Sequence, residues 1–390
     1  MPPEITFITR HYPPNPNING ESVRDMVKYL EEEWAVESRV ICIDRGFEGG
    51  GEIRASAGIV TRIRTPYEGK NPLLRFIAFL YDGYALARTA RRAGGKWLIC
   101  TTSPPLLPLW VSRLCKRRVS WVLWSFDLFP EGFKASGQIG ERNVLYRWAK
   151  RLSYKWAPSM LIALGPMQAQ YLQQQYGTRI PVHILPCGLL FYQDRSEARP
   201  AWYGEDRIYF GYCGNLGDPH NPEFLKAVID HIDPERHRLV LAIYGNQADA
   251  VKKYADGKPG IILVDRVPRN QLHFIDVHLV TLRDSWTHVA VPSKAVSAVS
   301  LGCPILFCGS SHSDNWYMLK EAGWLIPEND EMPTSVKKLM DKLDRAEIED
   351  KKQRAATLNG QLKEGFMKSY ADIARRFGGS PEAGVKPNAE

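Results

Sequence analysis

Short runs of β-branched and aromatic residues recur in this chain with room for one helix between them: Ile5 to Thr9, Arg39 to Ile43, Trp97 to Thr102, Val119 to Trp124, Met160 to Leu164 and Val182 to Leu185. That spacing is the α/β rhythm of a parallel sheet, in which each strand reaches the next through a crossover. A polar stretch from Tyr192 to Asp206, with Pro200 and Gly204 inside it, breaks the rhythm and reads as a linker. The rhythm then restarts with Ile208 to Cys213, Leu239 to Tyr244, Ile261 to Val264, Val277 to Leu282, Ile305 to Cys308 and Trp324 to Ile326. The expected fold is α/β, with two tandem Rossmann-like, doubly wound domains over 1–192 and 206–365. A C-terminal helix and tail over 366–390 would follow, frayed from Gly378 onward where Pro, Gly and Glu accumulate. Two such sheets facing each other would bring the carboxyl ends of their strands to one cleft, where open α/β sheets bind ligands.

Charge is distributed unevenly between the halves. The whole chain carries +8 over 390 residues, yet residues 51–200 hold 22 Lys and Arg against 8 Asp and Glu, while the half from 201 onward is slightly acidic. A first domain so basic would attract an anion: nucleic acid, anionic lipid headgroups or a pyrophosphate-bearing acceptor. No RRM, KH or helix-turn-helix signature accompanies the charge, which argues against nucleic acid. The first thirty residues lack a basic start followed by an apolar stretch, and Leu73 to Ala87 is interrupted by Arg75 and Asp82. A cytoplasmic protein without a spanning helix is therefore expected. The seven cysteines stand singly, without a CxxC pair, so neither a zinc site nor a disulfide framework is suggested.

The loop Gly214-Asn215-Leu216-Gly217-Asp218-Pro219-His220 directly follows the first strand of the second half, and Asn221-Pro222-Glu223 can start the next helix. Backbone N–H groups of a glycine turn at a helix start can seat a diphosphate, although a plain strand-to-helix turn needs the same glycines. Val291-Pro292-Ser293-Lys294 repeats the arrangement between two later strands and adds Lys294 as a point charge for phosphate. Asp127, at the end of a first-half strand beside Pro130 and Glu131, is the best acidic candidate for proton transfer, or else a helix cap. No D-x-D pair occurs, so no metal ligands and no divalent cation are expected. The absence of GxGxxG speaks against a nicotinamide-linked oxidoreductase.

Several segments, in order, resemble family 4 glycosyltransferases of the GT-B fold, in particular the bacterial colanic acid and O-antigen branch. In the second half these are Tyr212 to Gly217 with His220, Val267-Pro268-Arg269 with Leu272, Asp276 to Val280, Val291 to Lys294, Gly302 to Pro304, and Phe307 to Gly309 with Ser313-Asp314. In the first half they are His11 to Pro14 with Gly20, Thr101 to Leu106, and Asp127 to Glu131. The resemblance implies retaining transfer from a nucleotide sugar, with UDP as the prior, to a saccharide or lipid-pyrophosphate-linked saccharide in bacterial surface polysaccharide synthesis. It implies no cofactor beyond the donor substrate. By this likeness Gly214, Asn215, Leu216, Gly217, His220, Arg266, Arg283, Lys294 and Ser297 would meet the donor. His11, Gly20, Ser103 and Glu131 would meet the acceptor, and Asp127 and His288 would stand at the reaction.

Departures from the family pattern fall on the donor site. Ser297 and Val289 occupy the positions of an E-x7-E pair, Asn215 and Asn221 replace basic residues, and His288 stands where the branch commonly has Gly. A serine offers ribose only a neutral hydrogen bond, and His288 either reaches the donor sugar or fills space. A degenerate GT-B protein that binds nucleotide or saccharide without turnover is the alternative. Finally, Arg142 to Trp156 reads as one helix with Arg147, Arg151 and Lys155 on one face, Lys150 nearby and aromatics interleaved. Together with Leu73 to Tyr81, which Lys70 precedes, this helix suits peripheral contact with the inner face of an anionic cytoplasmic membrane, or else simple packing on its own sheet.

Overall fold

The computed structural model describes residues 4–45, 53–69, 71–115, 118–191, 195–204 and 207–379. The chain forms two compact units, Met1–Leu185 together with Phe366–Glu390, and Pro186–Gly365.

The first unit is built on strands β1 Ile5–Thr9, β2 Ser38–Asp44, β3 Ile59–Arg64, β4 Trp97–Thr101, β5 Ser120–Trp124, β6 Met160–Ala163 and β7 Val182–Ile184. They lie in the order β3-β2-β1-β4-β5-β6-β7, each pair parallel. Every residue of β1 and β4 is buried, as a strand covered on both faces requires. The crossovers carry α1 Ile18–Trp34, α2 Pro72–Ala93, α3 Leu107–Leu114, α4 Glu131–Ala135, α5 Val144–Ser153 and α6 Pro166–Tyr176. Strand β3 was not expected from sequence. It lies at the sheet edge with Thr61, Arg62 and Arg64 exposed, so it shows no continuous apolar run. Helix α1 starts at Asn17, whose side chain accepts from the Asn19 N–H. Close behind, a Cβ on Gly20 would lie 2.6 Å from the His11 carbonyl oxygen, so glycine lets α1 pack against the turn that follows β1.

The second unit repeats the plan: β8 Ile208–Asn215, α7 Pro222–Asp230, β9 His237–Tyr244, α8 Ala248–Ala255, β10 Ile261–Leu263, β11 Val277–Thr281, α9 Ser293–Ser300, β12 Ile305–Cys308, α10 Asp314–Leu319, β13 Gly323–Ile326 and α11 Met332–Lys342. Its strand order is β10-β9-β8-β11-β12-β13, again parallel throughout. In both sheets the order reverses beside the first strand, between β1 and β4 and between β8 and β11. Such switch points leave a crevice at the carboxyl ends of the strands. Phe210, Tyr212, Phe224, Leu239 and Leu306 are buried in the second core.

Three sequence expectations change in detail. Of the stretch read as a linker, residues 192–194 and 205–206 lie outside the described residues, and the remainder packs on the second unit. Trp202 and Tyr203 meet the Tyr209 ring, and Arg195 donates to the Leu301 carbonyl at 2.7 Å. The basic helix is shorter than expected: Asn143 caps α5, Lys155 falls beyond its end, and Tyr146 is buried. The C-terminal helix, α12 Arg345–Arg376, starts among the residues of the second unit and ends among those of the first. The tail expected to fray lies, from residue 380 on, outside the described residues, as does Lys70.

Candidate active site

In the second unit β8 ends at Asn215, just past Gly214 at φ 124°, and the chain then runs towards α7. Three N–H donors of the loop and its exit are spent on the protein itself. The Leu216 N–H bonds the Tyr244 carbonyl, the His220 N–H bonds Gly217, and the Asn221 N–H bonds the Thr281 hydroxyl. Leu216 itself is fully buried in the core. Helix α7 begins after Asn221, whose side chain accepts from Glu223. The loop is also a frame for the side chains around it.

The centre of that frame is Lys294, on the first turn of α9. Its Nζ donates to the Tyr212 hydroxyl oxygen at 2.6 Å and to the Asn215 carbonyl at 2.9 Å, and lies 3.3 Å from His220 Nε2. His220 Nδ1 stands 2.6 Å from the Thr281 carbonyl. A carbonyl only accepts, so Nδ1 carries the proton and Nε2 offers its lone pair to Lys294. Burial and the neighbouring ammonium hold His220 well below its ordinary range. Both of its ring nitrogens are thus engaged, and His220 positions Lys294 instead of reaching phosphate itself. Tyr212 donates in turn to the Asn215 carbonyl at 3.1 Å, and its ring lies 4.1 Å from the Lys294 nitrogen. All these partners are neutral. Burial pushes the ammonium down to about 7, with no carboxylate paired to it among the described residues. Helix α9 also begins without a side-chain cap, so its positive end adds to the anion-attracting field.

Beside Lys294 stand Arg283 and a residue the sequence did not single out, Glu328. Arg283 Nε donates to the His220 carbonyl at 3.1 Å. Glu328, two residues past β13, accepts from Asn221 Nδ2 at 2.7 Å and from the Asp284 N–H at 2.6 Å, and lies 4.0 Å from Arg283 Nη1. It ties together the turns that follow β8, β11 and β13. A carboxylate just past a strand's carboxyl end was the available signal, but β13 is short and Glu328 belongs to no motif.

Ser297 turns its hydroxyl to the Gly188 carbonyl at 2.8 Å. Its one O–H is spent there. Burial first, and then the neighbouring His312, lower the pKa of His288. Arg266 is exposed after β10, the edge strand two places from β8, and does not join the Lys294 group. Among the described residues no group of three or more His, Cys, Asp or Glu could hold a metal ion.

In the first unit, His11, Gly20 and Ser103 come together at the switch point. The Arg10 N–H bonds the Ser103 carbonyl at 2.9 Å, and Gly20 abuts His11. Burial and the charges of Arg10 and Arg45 hold His11 at about 3, so its ring is neutral. The Phe126 N–H bonds the Thr102 hydroxyl at 3.0 Å, setting Asp127 at the mouth of the adjacent strand. Solvent reaches Asp127, but the protein around it pushes the carboxyl up to about 6. Glu131, expected to meet an acceptor, is instead buried. It accepts from the Tyr171 hydroxyl at 3.0 Å and lies 3.8 Å from Lys150. That engagement also turns Lys150 inward, away from the basic face expected of α5.

No family model matches the chain. It is 28% identical over 301 residues, 71% of its own length and 74% of the relative's, to a probable glycosyltransferase, WbjE, of Pseudomonas aeruginosa. Its fold is similar to that of WaaG, a glycosyltransferase involved in lipopolysaccharide biosynthesis, with a TM-score of 0.67 at 14% identity over 96% of this chain and all of that one. It is also similar to a structure of trehalose-6-phosphate from E. coli bound with UDP-2-fluoro glucose, with a TM-score of 0.65 at 10% identity over 97% of this chain and all of that one. The two parallel Rossmann-like sheets are those of GT-B glycosyltransferases.

Proposed function

We propose that the chain is a glycosyltransferase of the family 4 polysaccharide branch, which moves a sugar from a nucleotide-sugar donor, UDP-linked, to a saccharide or lipid-pyrophosphate-linked saccharide in bacterial surface polysaccharide synthesis. The relative in Pseudomonas aeruginosa and the GT-B neighbours support glycosyl transfer. The observation that carries the reading furthest is Lys294. It is an ammonium at the β8–β11 switch point whose partners are all neutral, and whose low pKa marks a charge awaiting an anion. As the donor's glycosidic bond breaks, negative charge builds on the departing diphosphate. Lys294, Arg283 and the uncapped start of α9 are the groups that answer it. Such stabilisation needs no metal, and metal-independent transfer is part of the proposal. Transfer is retaining, on the front face of the sugar: the acceptor's proton passes to Asp127, and the departing phosphate oxygen can take it in place of that carboxylate. The exposed apolar and basic face of α2 and α5 holds the enzyme peripherally on the inner face of an anionic membrane.

The test is a thermal-shift series in EDTA with UDP, GDP, CMP and TDP and their common sugar conjugates, followed by a transfer assay. UDP at a hundred times its Kd is expected to stabilise the protein by about 2.7 kcal/mol, a Tm rise of roughly 5–10 °C for a unit of this size. Binding without transfer or hydrolysis would favour the non-transferring alternative, for which the engaged Ser297 is the motive. Absence of any nucleotide response would sink the proposal.

Asp127 gives a second test. If it takes the acceptor's proton it must be ionised, so kcat at saturating donor, where the bound diphosphate keeps Lys294 charged, should climb with pH through about 6 and level off above. Asp127→Asn should cost about tenfold, since the departing phosphate can serve instead, and should abolish that limb. A limb that persists in Asp127→Asn would exclude Asp127 from proton transfer.

A further inference from the structure

The sheet of the second unit ends in an open edge. Strand β13 pairs with β12 from Gly323 opposite Ile305 to Ile326 opposite Cys308, and among the described residues no strand lies on its other side. The Ile326 carbonyl accepts from the Gly309 N–H, just past β12. Backbone groups of successive strand residues face opposite edges, so the N–H and carbonyl of Leu325 point away from β12, to the open side. Edge strands are commonly blunted by a charge or a proline within the strand. Gly323-Trp324-Leu325-Ile326 contains neither.

A helix flanks this edge on each face of the sheet. Trp324 packs on the core that takes in Met332, Val336 and Met340 of α11. On the opposite face Phe307, the register partner of Leu325, stacks with Trp316 of α10, ring centres 6.5 Å apart. Between the two layers, alongside β13, lies a cleft of about 590 Å³. Its lining includes Lys320 just past α10, Lys338 and Lys342 one turn apart on α11, and Lys351 on α12, with no Asp or Glu. Lys320, Lys338 and Lys342 are exposed, and Lys351 Nζ donates to the neutral Glu321 carbonyl at 3.1 Å. Two carboxylates close by are already engaged, Glu347 by Trp324 Nε1 at 2.7 Å and Glu321 by Arg354 at 3.4 Å. The second half of the chain is slightly acidic as a whole, so a lining of this one sign is a local feature. We propose that the β13 edge docks an acidic, extended segment of a partner protein, which adds as one more strand beside β13 while its carboxylates meet Lys320, Lys338, Lys342 and Lys351. Main-chain pairing holds the segment, and the lysines select its charge. A second copy of this chain does not suit the edge, because like edges would set lysines against lysines. The site lies three strands from β8 and does not depend on the transferase reading.

The experiment follows the fluorescence anisotropy of a labelled, end-capped peptide of alternating Glu and Val as the full chain is added. Its counterparts are a peptide of alternating Lys and Val, and the acidic peptide N-methylated at two adjacent central residues, which removes a donor from each of its edges. The acidic peptide should bind about tenfold more tightly than the basic one, and more weakly as salt rises. N-methylation should cost about tenfold, since charge is kept and only main-chain pairing is lost. Lys338→Glu with Lys342→Glu, both at exposed positions of α11, should leave the thermal transition unchanged. That variant should lose about tenfold for the acidic peptide and gain affinity for the basic one. An N-methylated peptide that binds as well as its parent would overturn strand addition and leave only a polyanion patch. Acidic-peptide binding unchanged in the double variant would place the peptide elsewhere and overturn the proposal. So would an oligogalacturonate of equal charge that binds more tightly than the peptide, which would make the cleft a saccharide site, or a dimer in solution that excludes the peptide.

Discussion

Replacing Lys294 by alanine is expected to lower kcat/KM for transfer by roughly 10²–10³-fold, the range found when one preorganised donor to a developing anion is removed. The fold should survive, because the Tyr212 hydroxyl keeps the Asn215 carbonyl as acceptor and His220 keeps Thr281. The dependence on pH follows from the sign of the shift. In the free protein the lysine loses its proton as pH rises through about 7. A bound diphosphate favours the charged form and must raise that value, so binding near pH 7–8 takes up a proton. Calorimetry of UDP binding in buffers of different ionisation enthalpy should show this uptake in wild type and none in Lys294→Ala. Proton uptake that persists in the variant would show that another group takes the charge.

Gly188→Ala should produce the largest loss of stability. Gly188 has φ 92°, where side chains are strained, and a Cβ there would lie 2.6 Å from the Ser293 carbonyl oxygen and 2.8 Å from Ser297 Oγ. The methyl group can be accommodated only by displacing the first turn of α9, which carries Lys294. Left-handed strain and backbone displacement together should cost about 2–3 kcal/mol, lowering Tm by roughly 5–10 °C. Nucleotide affinity should fall with it, although Gly188 offers a ligand no side chain. A variant as stable as wild type with unchanged UDP affinity would show that α9 is not braced in this way.

The strand trains were legible because strands buried on both faces must be continuously apolar, and β1 and β12 begin and end where the sequence implies. Strand β3 was not, because an edge strand with Thr61, Arg62 and Arg64 turned to solvent lacks that signature. Near the candidate site, the position of Lys294 at a helix start and of Arg283 just past a strand was legible from the sequence. The spent Leu216 N–H and the buried engagement of Glu131 were not, since both depend on partners 28 and 40 residues away in the chain. Glu328 escaped for the same reason: its meaning lies in the turns it joins, which belong to three separate strands. Spacing along a sequence reports what a residue can do, and long-range hydrogen bonds decide whether it remains available to do it.

The division of the chain has a consequence for how the protein is made. Tyr370, Ile373, Ala374 and Phe377, near the end of α12, are buried in the first unit, where Phe377 meets Trp97 and Tyr370 meets Tyr29. The residues that lay down the first sheet leave the ribosome early, yet their apolar faces at Trp97 and Tyr29 stay uncovered until this late segment emerges. At about 5–20 residues per second the wait is on the order of ten seconds or more. During it the nascent first unit is a surface for chaperones, and a premature stop between Pro186 and Gly365 would leave two incomplete units in place of one finished and one incomplete.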